Sequence, residues 1–534
     1  MINNKDVNPV NIIDTGKADP TGSSNNFEAI RKALAVNTTD SIFIPKGTYL
    51  ITQNITFPSS KKIIFDRNAR LKPSLNTVVT INGSWDANTN DQIFDLSLGG
   101  EINGDFRVEK IYPEWFGAKR DGITDDTTPF QKALDTGKHV HGQGGSYKVS
   151  NLVVSTNNQI ISFASNSKLI STSLGDVVTL KADYCQLINA TINTSGSVKN
   201  AIKTQGFRVT LKNCTVEGKS ENALVVDGLE TIVLFGNYKG GSIAGIKVQK
   251  PDLYLQNVYL EFNTHGLYSN GVGSITGYHV HSYNNKEMGF YLVGADFSQF
   301  TACYADTNGR NGWQIQDTVN GFSLIDCWSY KSSNVYAYEN DFAIRKSKNI
   351  KLIGCRSSGM GSEPKLAGFN IDSLSQVDLI GCYSDSPVNG IVENNAIRLT
   401  NCSGSLSRYN RSADTYQSQG LMIEDGATID VNIKTLIPQP LTTPGILSFD
   451  ICSLIRNDDN SDAFIQKNTL IIAKGFNVSS PVTTDSASRI LISSPAFVTK
   501  DDGFNYLSFR VTNQKKRCQV AFNVQYLGTG RGFI

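Results

Sequence analysis

The sequence predicts an all-β chain built around a right-handed parallel β-helix, and three observations carry that reading. A short phrase, small-Gly-apolar-x-apolar, returns along the chain as AGIKV (244–248), HGLYS (265–269), MGFYL (288–292), NGWQI (311–315) and AGFNI (367–371). A second run follows each phrase and ends on a turn residue and a small one, as in LKNCTV (211–216), FTACYA (300–305), LIDCWS (324–329), LIGCRS (352–357) and LIGCYS (379–384). The repeat is about 22 residues long, and its segments alternate with period two and lack the 3.6-residue periodicity of helical repeats. A β-sandwich would supply regular strands but not one phrase in one order. Stacked coils, none able to bury its apolar face alone, explain it.

Composition agrees. The chain has 534 residues, too many for one ordinary core, and 18% are charged with a formal net charge of +2. No basic stripe marks a nucleic-acid partner. The amino-terminal MINNKDVNPVNIID lacks the basic and apolar regions of a signal peptide, and no apolar run approaches a membrane span, so neither is expected.

Nine cysteines, an odd number, argue against a disulfide framework. Cys214, Cys303, Cys327, Cys355, Cys382 and Cys402 share one repeat position and are expected to stack inward as small hydrophobes. Asn237, Val258 and Tyr278 are assigned the same position in the intervening coils.

Residues one and three places after the inward position then point outward. The first outward column reads Thr215, Tyr238, Tyr259, His279, Tyr304, Trp328, Arg356, Tyr383 and Ser403. The second reads Glu217, Gly240, Glu261, His281, Asp306, Tyr330, Ser358, Asp385 and Ser405. An aromatic row beside acids suits an extended polysaccharide, whose C–H faces stack on rings while its hydroxyls bond to carboxylates. The bland alternative is that the row covers a subunit interface. Tyr238, Tyr259, His279, Tyr304, Trp328, Tyr330 and Tyr383 are therefore expected to bind substrate, with Arg310 as a candidate for an acidic sugar. Two insertions, 331–339 and 357–365, leave the helix beside this row and would wall a groove.

Glycoside hydrolysis needs two carboxyl groups. Glu261 and Asp306, two coils apart, are the expected catalytic pair, with His281 between them to tune a pKa or orient substrate. At about 4.8 Å per coil their backbones lie about 9–10 Å apart, and side chains can close that to the inverting range. Glu217, Asp385, Glu339 and Glu363 are reserve acids. His139 with His141, and His279 with His281, each place two imidazoles on one strand face, but neither pair has a clear third ligand, so no metal and no cofactor is expected. The GKS at 218–220 lacks the preceding glycine of a P-loop.

The ends of the chain carry a resemblance. IYPEWFGAKRDGITDDTTPFQKAL (111–134) leads into KHVHGQGGSYKVS (138–150), and a weaker copy, TGKADPTGSSNNFEAIRKAL (15–34), leads into SIFIPKGTYLIT (41–52). The first phrase resembles the opening of the pectate-lyase-like β-helix superfamily, and specifically bacteriophage tailspike depolymerases. There it begins the β-helix, and its helix caps the first coil. The resemblance implies a homotrimer on a phage tail, attached through the N-terminus of the full-length protein and acting outside the host on a bacterial surface polysaccharide, capsular or O-antigen. It carries over no catalytic residue, because the fold hosts hydrolases, lyases and non-enzymes. Hydrolysis is the first expectation. The alternatives are a lyase using His281, Tyr304 or a nearby cation, and a non-enzymatic adhesin. The expected organisation is an N-terminal β-rich module (1–110), the β-helix with its capping helix (111–429) and a C-terminal β-sandwich (430–534), the last a candidate for trimerisation or sugar contact.

Overall fold

The structure, a computed structural model, describes residues 9–384 apart from 337–338, 360–364 and 373, and beyond them only separate backbone strands between 391 and 528. It divides into two compact units, residues 1–264 and 265–534. In both, the strands of the repeats pair in parallel, as a β-solenoid requires.

The first unit begins with three short parallel sheets, two of three strands and one of four, so residues 10–103 already form a parallel stack. The two copies of the opening phrase fold alike. In each, an exposed strand (Thr21–Asn25, then Asp121–Asp125) leads to a buried polar residue and a short helix (Phe27–Leu34, then Thr127–Asp135). The buried residue organises the loop. Asn26 accepts from the Asp19 amide at 2.6 Å, and the Asp126 carboxylate accepts from the amides of Lys119 at 2.6 Å and Arg120 at 2.8 Å. The tyrosine of each Gly-x-Tyr, Tyr49 and Tyr147, is fully buried.

The second helix covers an open strand edge. The Gln131 amide accepts from the Val153 N–H at 2.9 Å and donates to the Val153 carbonyl at 2.9 Å, taking the place of a neighbouring strand for Leu152–Val154. Sheet edges left bare would expose unpaired backbone groups, and Gln131 pairs with two of them here.

Beyond the cap, apolar residues stack at matching positions, as in Leu187, Leu211, Val233 and Leu255 of the first unit. Phe300, Leu324, Leu352 and Leu379 do so in the second. All eight are buried. Inside the second unit the apolar residues of four phrases form a ring ladder. Phe290 lies 3.7 Å from Trp313 with planes 4° apart, and Phe342 lies 4.7 Å from Phe369 at 6°.

Cys214, Cys303, Cys327, Cys355 and Cys382 are fully buried and none is in a disulfide, as the repeat predicts. Cys402 lies outside the described residues. Burial pushes the Cys214 thiol up to about 12.

Each inward cysteine follows a residue with left-handed backbone, such as Asn213, Ala302 and Asp326. That marker corrects two coils. In 232–239 the left-handed residue is Phe235, so Gly236 takes the cysteine position; Asn237 pairs with Thr215 and points outward, and Tyr238 turns inward and is fully buried. Its ring packs on Gly236, where a Cβ would come within 2.5 Å of it. In 275–283 the left-handed residue is His279, so Val280 is the buried one and Tyr278 is exposed. Gly277, read as the turn, is a strand residue left bare for the Phe300 ring, 2.4 Å from where its Cβ would sit.

Past the described side chains, parallel pairing extends to Ser403–Gly404. The remaining strands pair antiparallel, among them Gly445–Ile455 with Cys518–Gly528 and Thr428–Thr435 with Asn505–Asn513.

Candidate active site

With the register corrected, the second unit carries one unbroken outward column. His281 pairs with Tyr304, Tyr304 with Trp328, Trp328 with Arg356, and Arg356 with Tyr383. Backbone bonds at the cysteine position hold it: the amides of Trp328, Arg356 and Tyr383 each donate to the cysteine carbonyl one coil earlier at 2.9 Å. Trp328, Tyr330 and Tyr383 are each 39% exposed. The Tyr304 and Trp328 rings stand edge to face at 5.9 Å, and the Arg356 guanidinium lies 5.6 Å from the Trp328 ring centre. Trp328 thus has an aromatic neighbour on one side, a cation on the other, and an open face.

Beside this column runs Tyr283, Asp306, Tyr330 and Ser358. The Asp306 carboxylate is half-buried. It takes a 2.5 Å hydrogen bond from the Thr307 hydroxyl and lies 3.9 Å from His281 Nε2. Burial pushes its pKa up, but His281, the Thr307 hydroxyl and the Lys331 charge outweigh burial and hold it below the ordinary aspartate range. Asp306 is therefore ionised at neutral pH, fit for a base or nucleophile and unfit for an acid. The His281 ring lies 4.6 Å from Tyr283 and 5.8 Å from Tyr304, so it is wedged between aromatic walls. Lys331 lies 5.0 Å from the Tyr330 ring centre.

His279 does not belong to this surface: its left-handed backbone puts it at the turn, exposed and stacked on Tyr278 at 4.3 Å. His279 and His281 consequently do not form a pair on one face.

A second cluster in the same unit was not foreseen. His265, at the start of the strand His265–Asn270, lies 3.6 Å from Glu287, with its ring 5.2 Å from Tyr291. Tyr268 and Tyr291, paired across adjacent coils, stack at 5.3 Å. Burial holds the His265 imidazole below its ordinary value, with Glu287 opposing and Arg310 adding to the effect. Arg310 pairs with Glu339 at 3.1 Å and lies 4.3 Å from the Tyr336 ring centre. Arg310 is thus held by the loop after Tyr330. Glu287 and Arg310 come from bends of successive coils, while His265, Tyr268 and Tyr291 stand in the repeat phrase itself.

Glu261 lies in the first unit and is 5% exposed. Lys239 reaches its carboxylate at 2.6 Å and the Asn237 amide donates to it at 2.9 Å. Lys239, and not Gly240, is the register partner of Glu261. Tyr259, partner of Asn237, is 48% exposed in the same unit. Of the reserve acids, Glu217 is exposed, Glu339 is engaged by Arg310, and Glu363 and Asp385 lie outside the described residues. Among the described residues no three His, Cys, Asp or Glu side chains converge, and no helix is long and apolar enough to cross a membrane.

No family model and no curated protein matches the sequence. Among solved structures the chain is similar to the tailspike protein of Acinetobacter baumannii phage AM24, at 11% identity over 79% of this chain and 84% of that one, with a TM-score of 0.35. It is similar to the tailspike of Acinetobacter phage vB_ApiP_P1 at 11% identity, 84% and 91% coverage and TM-score 0.34. Pectate lyase Pel9A is matched at 11% identity, 55% and 78% coverage and TM-score 0.37. Likeness at this level is a likeness of solenoids and carries nothing about chemistry.

Proposed function

We propose that the chain binds a bacterial surface polysaccharide, capsular or O-antigen, along the outward column of its second unit and cleaves it there by glycoside hydrolysis. The observation that supports this is the in-register row of half-buried Tyr304 and exposed Trp328, Arg356 and Tyr383 beside the Asp306 carboxylate. Rings in one column at strand spacing offer successive stacking faces to an extended sugar chain. Asp306 is the reacting carboxylate, and His281 carries the proton. The Tyr268–Tyr291 stack and His265 extend the sugar-binding surface of the same unit. A homotrimer on a phage tail, acting outside the bacterial cell and carrying a separate C-terminal module, goes with this reading.

A second reading is β-elimination on a uronic-acid polymer. Arg356 and Lys331 favour it, because they set cations beside Asp306 and Trp328, where a sugar carboxylate would need neutralising.

The test is incubation of the chain with purified capsular and O-antigen polysaccharides, followed by size-exclusion chromatography of the products. Hydrolysis shortens the polymer and adds reducing ends without new ultraviolet absorbance. Elimination adds the absorbance of a C=C bond. Asp306→Asn should abolish shortening. Undiminished cleavage by Asp306→Asn would remove Asp306 from the chemistry.

A further inference from the structure

His139 and His141 flank buried Val140 in the first unit, where the Ile111 amide donates to the His139 carbonyl at 2.8 Å and the His141 amide donates to the Ile111 carbonyl at 2.9 Å. Both imidazoles therefore leave the strand on the side opposite Val140. Ser162 stands directly across from His141 in the next coil. His139 Nε2 is 2.7 Å from the Ser162 hydroxyl oxygen, and His141 Nδ1 is 2.8 Å from the same atom. One oxygen thus sits at the convergence of two imidazole nitrogens. All three side chains are half-exposed, and the Tyr112 ring stands edge-on to His141 at 5.9 Å. The third donor that the histidine pair lacks in the sequence is supplied 21 residues on, across the coil, by Ser162.

We propose that His139, His141 and Ser162 bind one divalent transition-metal ion of the class that prefers imidazole, such as zinc, nickel or copper, with water completing the shell. Imidazole donors suit these ions and not magnesium or calcium, which take oxygen ligands. A small inward shift brings the nitrogens from hydrogen-bond distance of the hydroxyl to bonds of about 2.0–2.1 Å on an ion beside it. Lys110 opposes a cation here, and Glu109, whose side chain is 88% exposed, stands next to it and is paired with it at 3.7 Å. The ion would tie the strand after the cap to the next coil. It is independent of cleavage at Asp306.

Isothermal titration of the metal-free full chain with zinc chloride, nickel chloride and magnesium chloride tests this. Zinc and nickel should bind at one ion per chain and magnesium should not. His139→Ala and His141→Ala should each weaken zinc binding at least tenfold, while Ser162→Asp, which places a carboxylate at the convergence point, should tighten it. Zinc should raise the melting temperature of the wild-type chain but not of the two histidine variants. Lack of zinc binding up to about 1 mM, or binding that survives the double alanine variant, overturns the proposal. Should the double variant fail to fold by circular dichroism, a Ser162→Asp chain that binds zinc no tighter than wild type overturns it equally.

Discussion

Asp306 keeps its charge because of what surrounds it. His281 at 3.9 Å and the Thr307 hydroxyl outweigh the cost of half-burial. A carboxylate with a depressed pKa works down to acidic pH and fails only as pH falls through that low value. Removing the imidazole leaves burial less opposed. His281→Ala is therefore expected to move the acid limb of the kcat/KM profile to higher pH, in a pH–rate series on polysaccharide, whatever it does to the maximum. Trp328 makes its case through exposure. Its indole is not needed for packing, so Trp328→Ala should leave the melting temperature within about 1 °C, since surface changes of this kind cost little. It should weaken polysaccharide binding about tenfold by calorimetry, the scale of one lost stacking partner. Trp328 and Tyr304 were legible because each follows a cysteine marking the inward position. Tyr238 and His279 were misplaced for a local reason: Phe235 and His279 adopt left-handed backbone, which residue type assigns to Gly or Asn. The available clue was the glycine next door, since Gly236 and Gly277 are bare to admit rings and not to make turns.

At the scale of elements, the coils have an end that needs closing, and a helix with a strand-like side chain closes it. Gln131 offers one acceptor and one donor to Val153, the pair a neighbouring strand would have supplied. Gln131→Leu keeps the volume and removes both bonds, leaving a half-buried N–H and C=O without that partner. A loss of about 1–3 kcal/mol is expected, read as a lower midpoint of urea unfolding for the cap and the coils it covers, with cleavage unchanged at low denaturant. The duplicated phrase made both loop-helix segments visible in the sequence, because a loop that must bury one polar residue and then start a helix tolerates few alternatives. The joining of His265, Glu287, Arg310 and Glu339 was not legible for the opposite reason. His265 and Glu339 open strands and Glu287 and Arg310 sit in bends, and only the stacking of coils brings them together.

At the scale of the whole molecule, a solenoid turns a repeat into a line of side chains. Each coil contributes one residue to each column, so a property shared by several coils becomes an extended surface, and an extended surface fits a polymer better than a small molecule. The second unit shows this twice, in the buried ladder Phe290, Trp313, Phe342 and Phe369 and in the outward column from His281 to Tyr383. The inner ladder stabilises the stack; the outer one has no packing partner within the described coils beyond its own neighbours. The measurement that separates a sugar-binding column from a covered subunit face is a crystal structure of the Asp306→Asn chain with a polysaccharide fragment bound. Sugar rings stacked on Tyr304 and Trp328, with a glycosidic bond over position 306, are the expected result. A fragment bound on another face, or Trp328 packed against a second copy of the chain, would contradict it.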